Sequence, residues 1–197
     1  MSRVTRYKIG YVIALVILAG VVLTAARAGN SEPWVVVTIV AVLLLPGRVQ
    51  GLLFRDLFRG RRDLDRNSAE SALGHFSSFL STIRAQPWRK PALWLSWSIY
   101  TPDVEAMTQN NIGAAQLNLG NLDSAEAALN TALSLDPQYP LPHANLALVA
   151  ALRADPSAVE RHLEAARKLG YKGAALDRFV SKTQSVLAAV ESHGPAA

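Results

Sequence analysis

Residues 105–140 read EAMTQNNIGAAQLNLGNLDSAEAALNTALSLDPQYP. The stretch divides at Gly120 into two runs of helix formers. In the first, Gly113 follows Ile112 in mid-helix, where glycine costs about 1 kcal/mol unless a neighbour must pack closely against it. Gly120 suits the left-handed position that ends a helix. Asn121 or Asp123 supplies a cap for the second run. Ala125, Ala128, Leu129 and Ala132 then line one face, and Asp136-Pro137 closes the unit. The grammar is helix, turn, helix, with small residues where two helices meet.

The same order returns along the chain. Moving 34 residues forward, Leu146-Ala147 replaces Ile112-Gly113, and Val159, Leu163 and Ala166 replace Ala125, Leu129 and Ala132. Tyr171 stands in place of Pro137, and Asp155-Pro156 makes the turn. Moving 53 residues back, Gly60, Asn67, Ala72, Phe76 and Phe79 fall at the positions of Gly113, Gly120, Ala125, Leu129 and Ala132. The extra length between these two copies is a 19-residue insertion.

Gly113, Gly120, Ala125, Leu129, Ala132 and Pro137 resemble the tetratricopeptide repeat (TPR) in register, with Gln109 and Gln116 departing from its aromatic-type positions. The resemblance implies an all-α fold: a short TPR-like α-solenoid with repeats at about 53–86, 106–139 and 140–173. A Trp-rich insertion at 87–104 separates the first two, and a capping helix at 174–192 follows the last. Solenoid units bury their faces only against one another, so three copies and a cap form a consistent set. The resemblance further implies a concave groove for a protein or peptide, presenting Met107, Asn110, Ala114, Leu117 and Asn118 from one copy. The next copy would add Leu141, Ala144, Leu148 and Leu152. The carboxylate clamp of chaperone-binding members is not carried over, because Asn145 is its single apparent match here. An apolar helix or strand is the expected ligand.

Upstream of the repeats the composition changes. Ile9–Ala26 is an uncharged run of 18 residues, and Trp34 opens a second apolar run ending near Pro46-Gly47. These predict a transmembrane hairpin with spans at about 9–26 and 33–48. Arg3, Arg6 and Lys8 precede it, and Arg48, Arg55, Arg59, Arg61, Arg62 and Arg66 follow. That bias predicts a multi-pass protein of a bacterial-type inner (plasma) membrane, with the N-terminus and the TPR domain cytoplasmic. The Ala26-Arg27-Ala28 triplet also resembles a signal-peptide cleavage site. Arg55, Arg59 and Arg62 sit on one face of an amphipathic stretch and suggest contact with anionic lipid, against the simpler reading of a flank that opens the first helix of the domain.

The insertion carries Trp88, Trp94, Trp97 and Tyr100. These aromatics suit three roles: filling space between repeats, dipping with Arg89 and Lys90 into headgroups, or anchoring a partner. Pro91 and Thr101-Pro102 mark helix starts.

The 197-residue chain has no cysteine, which excludes disulfides and thiolate chemistry. Its net charge of +5 gathers beside the apolar runs, so no nucleic-acid partner is expected. His75, His143, His162 and His193 lack metal-like spacing, and neither a phosphate loop nor a nucleophile elbow is present. No enzyme activity and no cofactor are expected. The expected function is a membrane-anchored scaffold that binds partner proteins through the groove. The alternative is a structural subunit of a membrane complex, held through its hairpin by the small residues Ala14, Gly20 and Ala25.

Overall fold

The structure is a computed structural model. It describes residues 47–95, 100–172 and 174–193, and residues 9, 10, 13, 14, 16, 17, 20, 21, 24 and 27 of the N-terminal segment. Every regular element among the described residues is helical. The helices are α1 (Arg55–Asp65), α2 (Ala69–Ala85), α3 (Val104–Asn118), α4 (Leu122–Leu135), α5 (Pro140–Leu152), α6 (Pro156–Lys168) and α7 (Ala174–His193). A 3-10 segment, Pro87–Leu95, separates α2 from α3, and residues 47–53 form a helical lead-in to α1.

Three closely packed pairs, α1/α2, α3/α4 and α5/α6, are each joined by a three-residue link. Such short links between extensively packed helices make the pairs antiparallel. Successive pairs meet through α2 on α3 and α4 on α5, an order compatible with an α-solenoid.

The turns recur in atomic detail. Asn67, Gly120 and Ala154 each take a left-handed backbone, with φ of 59°, 77° and 56°. In each turn the next amide reaches five residues back: Ser68 to the Asp63 carbonyl, Asn121 to Gln116 and Asp155 to Ala150. This double-bonded helix end satisfies carbonyls that would otherwise be orphaned. Gly170 and Tyr171 end α6 in the same way. The chain therefore reverses identically at positions 53 and 34 residues apart.

The close approaches recur as well. A Cβ added at Gly113 would lie 2.6 Å from Leu129 Cγ, and one at Gly60 would lie 2.5 Å from the Phe76 ring. In both pairs a large side chain of the second helix presses onto bare backbone of the first. Ala147, at the next equivalent position, is fully buried.

Two expectations about helix starts need correction. Asp103, not Thr101-Pro102, caps α3: its carboxylate accepts from the amides of Glu105 (2.7 Å) and Ala106 (2.9 Å). Thr101 is buried; its hydroxyl accepts from the Asp103 amide at 3.1 Å and donates to Asp136 at 2.6 Å. Thr101 thereby ties the insertion to the end of α4. At α4 the cap position is Asn121, whose side chain instead donates to Gln116 at 2.9 Å.

The multi-pass inner-membrane expectation is overturned. Among the described residues no helix is long and apolar enough to cross a membrane. A span needs about 20 consecutive apolar residues, and no described helical stretch supplies them. Of the proposed first span, residues 9–26, the described positions are helical and exposed. Of the second, residues 33–48, only Gly47 and Arg48 fall within the described residues. Trp34, the connecting loop beyond Arg27, and Ala25 lie outside them. The cytoplasmic orientation rested on those spans and goes with them.

Candidate partner-binding cleft

The nine groove residues predicted from the sequence separate into three groups. Asn110 and Ala144 are buried within the packing of α3 and α5, not open to a ligand. The reason is chemical for Asn110: its side-chain oxygen accepts from the Asn145 amide at 2.9 Å, a buried bond between the two helices. Ala144 lies with Ala166 beneath Tyr171, and Leu141 packs beside them. Met107 packs against the α1/α2/α3 core. Leu152 is half-buried and does not line the cleft. The remaining four, Ala114, Leu117, Asn118 and Leu148, share the lining of one cleft of about 410 Å³.

That cleft has walls the sequence reading did not assign. Leu64 and Asp65 come from the end of α1, and Tyr171 from the end of α6. Arg178, Phe179 and Lys182 come from α7. The terminal helix packs mainly on α5 and only lightly on α6. A helix continuing the earlier pattern would lean mainly on the second helix of the preceding pair, as α3 leans on α2. The departure has an aromatic cause. Tyr171 meets Tyr100 and Phe179 edge-on, both at 5.8 Å between ring centres, and the set packs with Ala144 and Leu141 of α5. Edge-on geometry aligns the positive rim of one ring with the negative face of the next. Thr183, fully buried, satisfies its hydroxyl on the Phe179 carbonyl at 2.6 Å.

The cleft is thus apolar at Leu64, Leu117, Leu148 and Phe179, and cationic along one side of α7. Arg178 and Lys182 are one helical turn apart and form no ion pair among the described residues. Asp65 is the one acid among the described residues of the lining. Burial pushes the Tyr171 hydroxyl above its ordinary pKa, so it stays a neutral donor. Its described lining offers charge, amide and apolar contacts. The missed pair was signalled by cations at i and i+4 beside the apolar stripe that contains Phe179 and Val180.

A roomier hollow of about 760 Å³ lies between α6 and α7. Among its charged lining residues, Glu164 binds Arg167 at 2.6 Å, while Glu160 and Arg161 form no ion pair among the described residues. The smaller cleft sets Arg178 and Lys182, unpaired among the described residues, beside the apolar Leu64, Leu117, Leu148 and Phe179.

The aromatics of the insertion divide too. Trp88 is exposed, with the Arg89 guanidinium 5.3 Å from its ring centre. Tyr100 is half-buried in the aromatic set described above. Trp94 belongs to the 3-10 segment, and Trp97 lies outside the described residues. Lys90 does not turn outward with Trp88. It binds Glu105 at 2.8 Å, and Arg84 binds the same carboxylate at 2.9 Å. The hydrogen bond from Lys90 is the largest influence holding the Glu105 carboxyl below its ordinary pKa. This clamp fastens α2 and the insertion to the start of α3.

The histidines, far apart in sequence, are brought together in one place. His143 Nδ1 and His162 Nδ1 lie 3.2 Å apart across α5 and α6. Among the described residues no group of three or more metal-ligating side chains accompanies them or occurs elsewhere. No protein-family model matches the chain, and no curated protein matches it in sequence.

Proposed function

We propose that residues 53–172 form a TPR-like solenoid that acts as a protein-binding scaffold, with α7 as its terminal helix. Its ligand is an extended or helical partner segment carrying an acidic residue next to apolar ones. The observation that carries the reading is the cleft between α3, α5 and α7. Arg178 and Lys182 share its lining with Leu117 and Leu148, and neither cation forms an ion pair among the described residues. Charge-assisted bonds from an Arg to a carboxylate are about twice as strong as neutral ones, and an apolar floor adds affinity by excluding water. The recurring turns and glycine contacts support the repeat reading. The expected ligand changes from a purely apolar segment to a mixed one, because the cations come from a helix outside the repeats.

The membrane anchor is no part of this reading, and the alternative of a subunit held by its hairpin is set aside with it. The test is affinity enrichment with the intact protein beside an Arg178→Glu, Lys182→Glu variant. Both side chains are exposed, so the variant keeps its helical circular dichroism. A protein enriched by the native chain and lost with the variant supports the cleft. Partners retained by the variant and lost on altering Trp88 would move the interface to the insertion.

A further inference from the structure

We propose that the outer face of α1 is a docking surface for anionic phospholipid headgroups. Arg55, Arg59 and Arg62 follow one another at spacings of four and three, which places them on one face of α1, and Arg66 caps its end four residues on. Arg55, Arg62 and Arg66 are exposed and form no ion pair among the described residues. Arg59 reaches Asp56 only at 4.0 Å. The neighbouring acid Asp63 is occupied, accepting from the Ser71 hydroxyl at 2.7 Å and facing His75 at 3.5 Å. The opposite face of α1 is locked: Leu57 is buried, and Gly60 has the Phe76 ring against its backbone. The arginines therefore form an outward array about 16 Å long on a helix held in place by its buried face. Guanidinium forks match phosphate oxygens in pairs.

Apolar neighbours favour a lipid surface over the phosphates of nucleic acid. Leu52, one turn before Arg55, is 75% exposed. The lead-in that carries it is tied to the 3-10 segment by a bond from Gln50 Nε2 to the Ala92 carbonyl at 3.3 Å, and that segment bears exposed Trp88. A duplex backbone would leave Leu52 in water, whereas a headgroup layer takes both the arginines and an aliphatic side chain among them. This binding needs no spanning helix and does not depend on the cleft.

The test is flotation of the full chain with vesicles of phosphatidylglycerol and phosphatidylcholine, against phosphatidylcholine alone, at low and high salt. Each basic residue near an anionic surface contributes enough that three substitutions, Arg55→Gln, Arg59→Gln and Arg62→Gln, should weaken binding to the anionic vesicles on the order of 100-fold. Binding to phosphatidylcholine should not change. Leu52→Ser should weaken both modestly. The proposal is overturned if the native chain shows no preference for the anionic vesicles, or if the triple variant retains it. It is equally overturned if duplex DNA binds the native chain more tightly than the vesicles and releases the triple variant.

Discussion

Substituting Gly113 by alanine sets two effects of opposite sign against each other. In an open helix the change stabilises by about 1 kcal/mol, because alanine has the higher helix propensity. At Gly113 the new methyl would lie 2.6 Å from Leu129 Cγ, 2.7 Å from Cδ2 and 3.2 Å from the Ala125 carbonyl oxygen. Leu129 is fully buried and has no room to swing away. Forcing an extra methyl into such a contact costs about 1–3 kcal/mol, and the backbone oxygen places this site towards the upper end. The net expectation is a loss of about 1–2 kcal/mol, or about 2–8 °C in Tm for a chain of this size. Gly74 supplies the control. It is exposed on α2 with nothing within 4 Å of a new Cβ, so Gly74→Ala should raise Tm. Thermal unfolding followed by circular dichroism reads both. A cycle with Leu129→Ala isolates the contact, since Gly113→Ala should turn neutral or stabilising once the leucine is shortened. If Gly113→Ala matches Gly74→Ala in sign, or if its cost survives in the Leu129→Ala background, the close helix contact is refuted.

Other perturbations follow from the same geometry. Ala154 holds a left-handed backbone at the end of α5, so Ala154→Gly should relieve strain and stabilise by about 0.5–1 kcal/mol, visible as a rise in Tm. Asp103→Ala removes two amide bonds at the start of α3 and should cost about 1 kcal/mol in denaturant unfolding. Burial holds His143 and His162 below their ordinary pKa, so both stay neutral in the folded state more readily than in the unfolded one. Their contribution is present above the unfolded value of 6.5 and is lost as pH falls below it, and His162→Gln should flatten the pH dependence of stability there. Glu105 has the opposite partner set: its depressed pKa gives stability above the unfolded value of 4.5 that disappears as pH falls through the folded one. Because Arg84 and Lys90 are partly solvated, Glu105→Gln should cost less than about 1 kcal/mol in urea titration.

Local chemistry carried most of what the sequence revealed about the helices. Gly120 marks a turn because its left-handed backbone suits glycine, and Asp155-Pro156 marks another because proline suits the first turn of α6. Gly113 stood out because a mid-helix glycine needs a reason, and Leu129 is that reason. What was not legible depended on contacts between distant segments. The seat of α7 on α5 is decided by Tyr100, Tyr171 and Phe179, which meet only in the folded chain. Arg178 and Lys182 therefore read as an ordinary solvated helix face, although they border the cleft. Asn110 read as a groove residue because its helical phase is right, but its Asn145 partner buries it. The left-handed Ala154 was also silent, since alanine carries no turn preference of its own.

The most direct test of the binding claim is site-specific photo-crosslinking in cells. A photoreactive residue would be placed at Asn118, on the exposed rim of the cleft, and separately at Gly74, on α2 away from it. The account predicts a discrete protein adduct from position 118, absent from position 74 and abolished by Arg178→Glu with Lys182→Glu. Adducts that are the same from both positions, or an adduct at 118 that persists after the charges are reversed, would contradict it.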